Sequence, residues 1–151
     1  MTGYHLVECN IARARAALDH PLMADFVNQL AQVNQLAELS PGFVWRLKDD
    51  YGENATAIRV FDDERIIVNM SVWESIEALS VFTFRSGHVD VLRRRTEWFE
   101  RMSTPSLAMW WLRSGTLPQP EDIPLRLMHL NQYGPTPFAF TFRHPFPKPS
   151  E

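Results

Sequence analysis

The sequence predicts an α+β fold, with an antiparallel sheet covered on one face by helices, and three observations support this prediction. Its 151 residues fit a single domain, residues 1–151. Runs rich in β-branched and apolar residues alternate with segments in which apolar residues recur at helical spacing. Pro, Gly and Ser stand between these runs and separate them into elements.

The first half of the chain is predicted to contain a strand, a helix and further strands. Residues 4–12 lack Gly and Pro and mix β-branched with polar residues, which predicts the first strand. Residues 22–39 carry apolar side chains at helical spacing before the breaker Ser40-Pro41-Gly42, which predicts an amphipathic helix. Further strands are predicted at 43–47, 55–61 and 65–73.

The second half begins with an ambiguous boundary between strand and helix. Ser71 and Ser75 both fit as the N-cap of the next helix, and Ser75 is favoured because the strand then extends through Trp73. The helix is expected to run from about Ile76 to Gly87. The remaining elements are predicted to be helical at 88–102 and 125–132, and extended at 107–113 and 138–142.

This order of elements predicts a particular topology and assembly. Two strand-helix-strand halves joined in this way form the ferredoxin-like arrangement, an antiparallel sheet with helices on one face. The strand at 65–73 is apolar on one side, and on the other it carries residues equally unsuited to water, including Asn69 and Trp73. Because the open face of the sheet needs a cover, we expect a homodimer whose two sheets face each other.

Composition and charge narrow the classes of function. A formal net charge of -3 with 22% charged residues gives no sign of a nucleic-acid surface. No apolar window approaches the ~18 residues of a membrane span, and no secretory leader is recognisable, so we expect a cytoplasmic protein with no membrane partner. Cys9 is the single cysteine and shares a strand face with Val7 and Ile11, which predicts a core residue.

Several segments together resemble an uncharacterised bacterial family, a domain of unknown function. They read YHLVECNIA, FVWRLKDD, VNMSVWESIEAL, FRSGH, RRRTEWF and WWL, and the resemblance covers residues 4–147. That family is similar to the antibiotic-biosynthesis monooxygenases of the dimeric α/β-barrel superfamily, a more distant likeness that rests on residues 66–79. The resemblance implies a dimeric α/β barrel with a cavity between sheet and helices in each subunit.

Asn69 and Trp73 are the first candidate site residues. Cofactor-independent monooxygenases of that superfamily, which oxidise aromatic polyketides to quinones, resemble this sequence in having an Asn and a Trp four residues apart. Amide and indole donors can stabilise the anion that a phenol forms when it loses its proton. The sequence departs from those enzymes at Leu79, where they have a Tyr, and their helix Arg matches Arg93 only loosely. The alternative is an interface Trp beside an Asn that satisfies backbone groups.

His88 is the candidate base. It follows Gly87 and opens the predicted helix at 88–102, on the face that carries Leu92 and Phe99. A helix N-terminus disfavours the imidazolium cation, so the ring is expected to be a neutral base suited to proton abstraction. The alternative is a capping or core histidine. Haem binding is disfavoured because the iron-binding His of the haem-degrading members falls near Leu92.

The aromatic content predicts a site for a flat apolar ligand. Five Trp and ten Phe are present, and such side chains line ligand sites but also fill cores and interfaces. Trp110 and Trp111 are adjacent in a strand, so they point to opposite faces. The residues predicted to bind ligand are Trp45, Arg95, Trp98 and Trp111, with Arg95 as a partner for an anion.

The sequence therefore predicts a small-molecule-binding protein with two open uses. One is oxygenation or proton transfer with His88 as base, Asn69 and Trp73 as donors, and neither a metal nor another cofactor. The other is a non-catalytic binding or stress-related module. In both, the partner is a small apolar or aromatic molecule.

Overall fold

The computed structural model of the protein describes residues 3–48, 58–85 and 93–150. The strands in this part are β1 (Tyr4–Ala14), β2 (Phe43–Arg46), β3 (Ile66–Trp73), β4 (Phe99–Glu100) and β5 (Leu107–Arg113). The helices are a 3-10 turn (Pro21–Met23), α1 (Ala24–Glu38), α2 (Ile76–Arg85), α3 (Arg95–Trp98) and α4 (Asp122–Tyr133). None of the described helices combines the length and the apolar character needed to cross a bilayer.

The five strands form one antiparallel sheet with β1 near its centre. β3 lies between β1 and β2 and pairs with both. The other side of β1 pairs with β5 over most of its length and with β4 at Arg13 and Ala14. The order β2-β3-β1-β5 is the ferredoxin-like one, so the predicted α+β fold class is confirmed.

Helices cover both faces of this sheet, which corrects the prediction of helices on one face only. α1 and α2 lie on the face that carries Leu6 and Trp73. α4 lies on the opposite face, because its buried residues Ile123, Leu127 and Leu130 recur at helical spacing and pack against the sheet. The face expected to need a second subunit is thus covered by α4 of the same chain, so two sheets cannot face each other there as predicted.

Among the described residues, an apolar core lies between the sheet and α4. It consists of alternate residues of the central strands, joined by residues of the 58–61 segment and by Trp45. Cys9 is fully buried there, and burial raises the pKa of its thiol, with Glu8 contributing in the same direction. Cys9 is a core residue, as predicted.

The boundary between β3 and α2 is where the sequence placed it. The hydroxyl of Ser75 accepts a hydrogen bond from the backbone N–H of Ala78 at 3.1 Å, which makes Ser75 the cap and leaves Ser71 inside the strand. Before β2, Gly42 has a φ of 84° and lies against α2, since a Cβ there would stand 2.5 Å from that of Ala78. The breaker at the end of α1 therefore also sets how closely the two helices approach.

Three predicted elements were wrong in the part of the chain described. Residues 58–60 form no strand. The helix predicted at 88–102 ends at Trp98, because Phe99 and Glu100 pair instead with the end of β1 as β4. The segment predicted as a strand at 138–142 forms two isolated bridges: Phe140 exchanges two hydrogen bonds with Met109, and Ala139 pairs with Thr136. The bridge between Phe140 and Met109 and the packing of α4 against the sheet are both formed within one chain.

Candidate functional site

A cavity of about 320 Å³ lies between the sheet and the layer formed by α1 and α2. This volume falls in the range of small-molecule sites in proteins, roughly 300–1,000 Å³. Its walls are largely apolar and include four phenylalanines from four separate segments. The apolar lining residues used below are Phe26, Leu30 and Val33 of α1, Phe82 of α2, Phe99 of β4 and Phe142.

The floor of the cavity carries a compact polar patch. Glu8 of β1 lies directly opposite Ser71 of β3, and Asn10 lies opposite Asn69. Residues two apart in a strand project to the same face, so the two pairs form adjacent rows. All four residues line the cavity. We call these four residues, Glu8, Asn10, Asn69 and Ser71, the polar floor.

Glu8 is the unusual member of the polar floor. Its side chain is buried, with the residue 6% exposed, and Asn10 Nδ2 donates a hydrogen bond to Oε1 at 2.7 Å. Burial raises the pKa of Glu8 to about 7, and the hydrogen bond from Asn10 opposes that rise only in part. A carboxyl in this state exchanges its proton near neutral pH. The sequence analysis missed it, although the signal was a carboxyl on the face shared with Leu6 in a strand otherwise suited to burial.

Two arginines border the cavity. Arg46 of β2, the register partner of Ser71, donates from Nε to Glu38 Oε2 at 3.1 Å, so its charge is already paired. Arg95 of α3 lines the cavity and is exposed. Of the four residues predicted to bind ligand, Arg95 is the one that the structure places at this cavity.

Asn69 and Trp73 share a face but differ in access. Asn69 is exposed to the cavity, as the ligand-contacting hypothesis requires. Trp73 is fully buried, stacks on Phe82 at 5.2 Å and meets Phe43 edge-on at 5.5 Å between ring centroids. Its Nε1 donates to Ser71 Oγ at 2.8 Å. The indole donor is therefore engaged inside the protein, and Trp73 does not line the cavity.

The other predicted residues lie elsewhere. Trp45 packs against the core on the α4 side of the sheet, and Trp98 is buried beside Phe26. Trp111 is on the cavity face, opposite to Trp110 as predicted, but its Nε1 donates to the carbonyl of Phe146 at 2.9 Å. That these three bind ligand stays a prediction that this cavity does not support. His88, with the predicted helix end at Gly87, lies outside the described residues.

The polar floor can form hydrogen bonds and, through Glu8, exchange a proton. No group of three or more His, Cys, Asp or Glu side chains that could hold a metal occurs among the described residues. The polar floor offers one carboxyl, two amides and a hydroxyl against aromatic walls. Such a site can orient a flat molecule by its polar edge while the rings bury its apolar body.

A search of curated proteins finds no significant match to this chain. Among solved structures, SnoaB, a cofactor-independent oxygenase from Streptomyces nogalater, is 17% identical with a TM-score of 0.47 and covers 78% of this chain and 99% of its own. The monooxygenase from the gene ActVA-Orf6 of Streptomyces coelicolor, solved in complex with nanaomycin D, is 21% identical with a TM-score of 0.41, covering 78% and 93% respectively. NE2512 of Nitrosomonas europaea, a protein of unknown function, is 12% identical with a TM-score of 0.45, covering 80% and 96%.

These identities and TM-scores leave the function to be inferred from the site of this chain itself. A family model, in contrast, matches nearly the whole chain, and this match confirms the resemblance found in the sequence. The model of the family described as Domain of unknown function (DUF3291) matches residues 5–151, and the chain belongs to that family.

Proposed function

We propose that the protein binds a small, flat, largely apolar molecule in the cavity between the sheet and α1 and α2. The observation that carries this proposal is a cavity of about 320 Å³ with phenylalanine walls over a polar floor. The aromatic walls favour a ring system, because rings bury a large area and pack at defined angles. The polar floor favours a molecule with at least one polar substituent, since buried polar groups need partners.

A catalytic use of the same cavity is supported by Glu8. A carboxyl with a pKa of about 7 can accept a proton at neutral pH, and the Asn69 amide on the facing strand can donate to the resulting anion. Removal of a proton from an acidic hydroxyl is the first step of the oxygenase-like chemistry suggested by the sequence. His88 stays the alternative base. In the non-catalytic alternative, the same residues hold a ligand that is released unchanged.

Asn69→Ala tests the binding proposal, with Asn28→Ala on the outer surface of α1 as the matched control. Asn69 faces the cavity and is exposed, so both unliganded variants should keep wild-type stability within about 0.5 kcal/mol. A bound ligand raises Tm by mass action. With hydroxylated naphthalenes, the wild type and Asn28→Ala should show a rise in Tm that Asn69→Ala loses in large part.

Two outcomes would contradict the proposal in different ways. If no aromatic compound raises the Tm of the wild type, the cavity does not bind this class of molecule. If Asn69→Ala keeps the full rise, the ligand lies elsewhere. Oxygen consumption in the presence of a bound hydroxyaromatic compound then separates the catalytic from the non-catalytic use.

We propose in addition that the protein forms a homodimer, through the outer side of α4 and not through the facing sheets that the sequence predicted. The outer side of α4 supports this, since Leu125, Met128 and Tyr133 are all more than half exposed there, at 53%, 66% and 63%. Native mass spectrometry decides the assembly, because a monomer mass would overturn it. A cytoplasmic location stays a prediction.

A further inference from the structure

Glu8 has two carboxyl oxygens, and the described residues satisfy one of them. Oε1 accepts the hydrogen bond from Asn10. Oε2 has no hydrogen-bond partner in the described part of the chain, and Glu8 lines the cavity. The Glu8 side chain is buried, but Oε2 is not among the fully buried atoms that lack a partner in the described part of the chain. A donor group on a molecule in the cavity can therefore reach Oε2.

Glu8 also lacks a cation among the described residues. The charged groups that border the cavity there are Arg46 from β2 and Arg95 from α3, and neither forms an ion pair with Glu8. Arg46 is paired with Glu38, and Arg95 is exposed. The helices above the polar floor contribute uncharged polar groups, namely Gln29 and Asn34 of α1 and Thr83 of α2. A buried carboxylate without a cation leaves room for a partner supplied by a ligand.

We propose that the ligand of this cavity carries a hydrogen-bond donor, a hydroxyl or an ammonium group, on an aromatic frame, and that Glu8 Oε2 accepts that donor. The inference rests on the proposed function and deepens it by naming the ligand class. Both donors share the chemistry that Oε2 needs, and the phenylalanine walls suit either, since aromatic faces attract cations. A ligand carboxylate at Glu8 Oε2 is disfavoured once Glu8 is ionised, because no cation pairs with Glu8 among the described residues.

Binding of such a donor is coupled to the protonation of Glu8. The donor favours the ionised carboxyl, so it lowers the pKa of Glu8 from about 7 when it binds. Near pH 7 the complex therefore releases a proton. The affinity for donor ligands should rise as the pH increases from 6 to 8 and should level off above, once Glu8 is ionised without ligand.

Three compounds of one shape test the inference by isothermal titration calorimetry. 2-Naphthol carries a hydroxyl donor, 2-naphthylmethylamine carries an ammonium donor, and 2-methoxynaphthalene carries an oxygen without a donor. Each is titrated at pH 6, 7 and 8 in two buffers of different ionisation enthalpy, which counts the protons released. The proteins are the wild type, Glu8→Gln and the control Glu77→Gln, an exposed residue in the first turn of α2.

The expected result is specific to the donor. Glu8→Gln should weaken binding of at least one donor compound about tenfold or more at pH 8 and should abolish its pH dependence and proton release. Binding of 2-methoxynaphthalene should be equal in all three proteins, which also shows that the cavity of Glu8→Gln is intact. The donor compound that binds more tightly identifies the donor as hydroxyl or ammonium.

Opposite results separate this inference from the proposed function. Equal binding of all three compounds to the wild type and Glu8→Gln overturns the role of Glu8 while leaving the aromatic site in place. Binding of none of them to the wild type overturns the proposed function itself. The wild-type proton release does not depend on the variant, so its absence at pH 7 overturns the inference whether or not Glu8→Gln folds.

Discussion

The two faces of the β1–β3 pair are built from alternate residues of the same two strands, yet they serve different purposes. On the α4 face, Val7 and Cys9 lie opposite Val72 and Met70, and all four are buried at 1% exposure or less. On the other face, the residues adjacent to these four in sequence form the polar floor: Glu8 and Asn10 on β1, and Asn69 and Ser71 on β3. Of any two consecutive residues in these stretches, one side chain packs in the core under α4 and the other lines the cavity.

The difference follows from the helix layer that each face receives. α4 presents Ile123, Leu127 and Leu130 in one stripe, and these side chains meet the sheet directly. α1 presents apolar residues interrupted by Gln29 and Asn34, and a cavity remains beneath it. A buried carboxyl is tolerated only on the second face, where space remains beside it. We therefore expect core truncations on the α4 face to change stability without changing ligand affinity, and changes to the polar floor to alter the proposed ligand binding.

The largest expected effect comes from breaking the packed face with Met70→Ala. Met70 is fully buried among the residues that contact α4, so truncation removes apolar contacts and leaves a cavity. The free energy of unfolding should fall by about 2–5 kcal/mol, measured by urea denaturation. The affinity of the folded protein for an aromatic ligand should stay unchanged, because Met70 points away from the cavity.

Leu39→Ala is the control for Met70→Ala. Leu39 follows the last turn of α1 and is 75% exposed, so its truncation should change the free energy of unfolding by no more than about 0.5 kcal/mol. Similar losses in the two variants would show that the α4 face is not the packed core described above. A loss of ligand affinity in Met70→Ala would show that the two faces are not independent.

The second effect comes from removing the ionisable group of the polar floor with Glu8→Gln. In the folded protein the pKa of Glu8 is raised from 4.5 to about 7, so the unfolded chain loses its proton at lower pH than the folded one. The wild type should therefore lose stability as the pH rises from about 4.5 to 7, by up to about 3 kcal/mol, and lose no more from this group above that.

Glu8→Gln should lack this contribution to the pH dependence. Urea denaturation of both proteins between pH 4 and 8 checks it, with Glu77→Gln as the control that should follow the wild type. The difference between Glu8→Gln and the wild type should grow in favour of the variant as the pH rises from 4.5 to 7. If the free energies of unfolding of the two proteins changed in parallel with pH, folding would not raise the pKa of Glu8.

Most of the fold could be predicted from local patterns. β5 was predicted at its observed bounds, and Ser75 was chosen over Ser71 as the cap, because strand period and capping chemistry are local properties. The failures depended on distant partners. Phe99 and Glu100 leave the helical pattern because the end of β1 is available to pair with them, and Phe140 forms one bridge because Thr136 and Ala139 pair with each other.

The site was less predictable than the fold, for a physical reason. The alternation of side chains along a strand predicts which residues share a face of the sheet. It was enough to identify Asn69 as a candidate and to predict that Trp110 and Trp111 point to opposite faces. Period does not tell which helix covers a face or how closely it packs. Trp45 was assigned to the ligand although it lies on the α4 side. Glu8 was missed because a charged residue in a strand ordinarily indicates a solvated position.

The smallest expected effect comes from Ser71→Ala, which compares two roles of one residue on the cavity face. Ser71 belongs to the polar floor, but its hydroxyl also accepts the hydrogen bond from the buried Nε1 of Trp73. Ser71→Ala should cost about 1–2 kcal/mol in urea denaturation, because it leaves that indole N–H without a partner. In a Trp73→Phe background no N–H remains, so Ser71→Ala should cost much less there. Equal costs in the two backgrounds would show that the hydroxyl serves the cavity rather than the core. A smaller cost in the Trp73→Phe background would place the boundary between packed core and ligand site at Ser71, directly opposite Glu8 on the neighbouring strand.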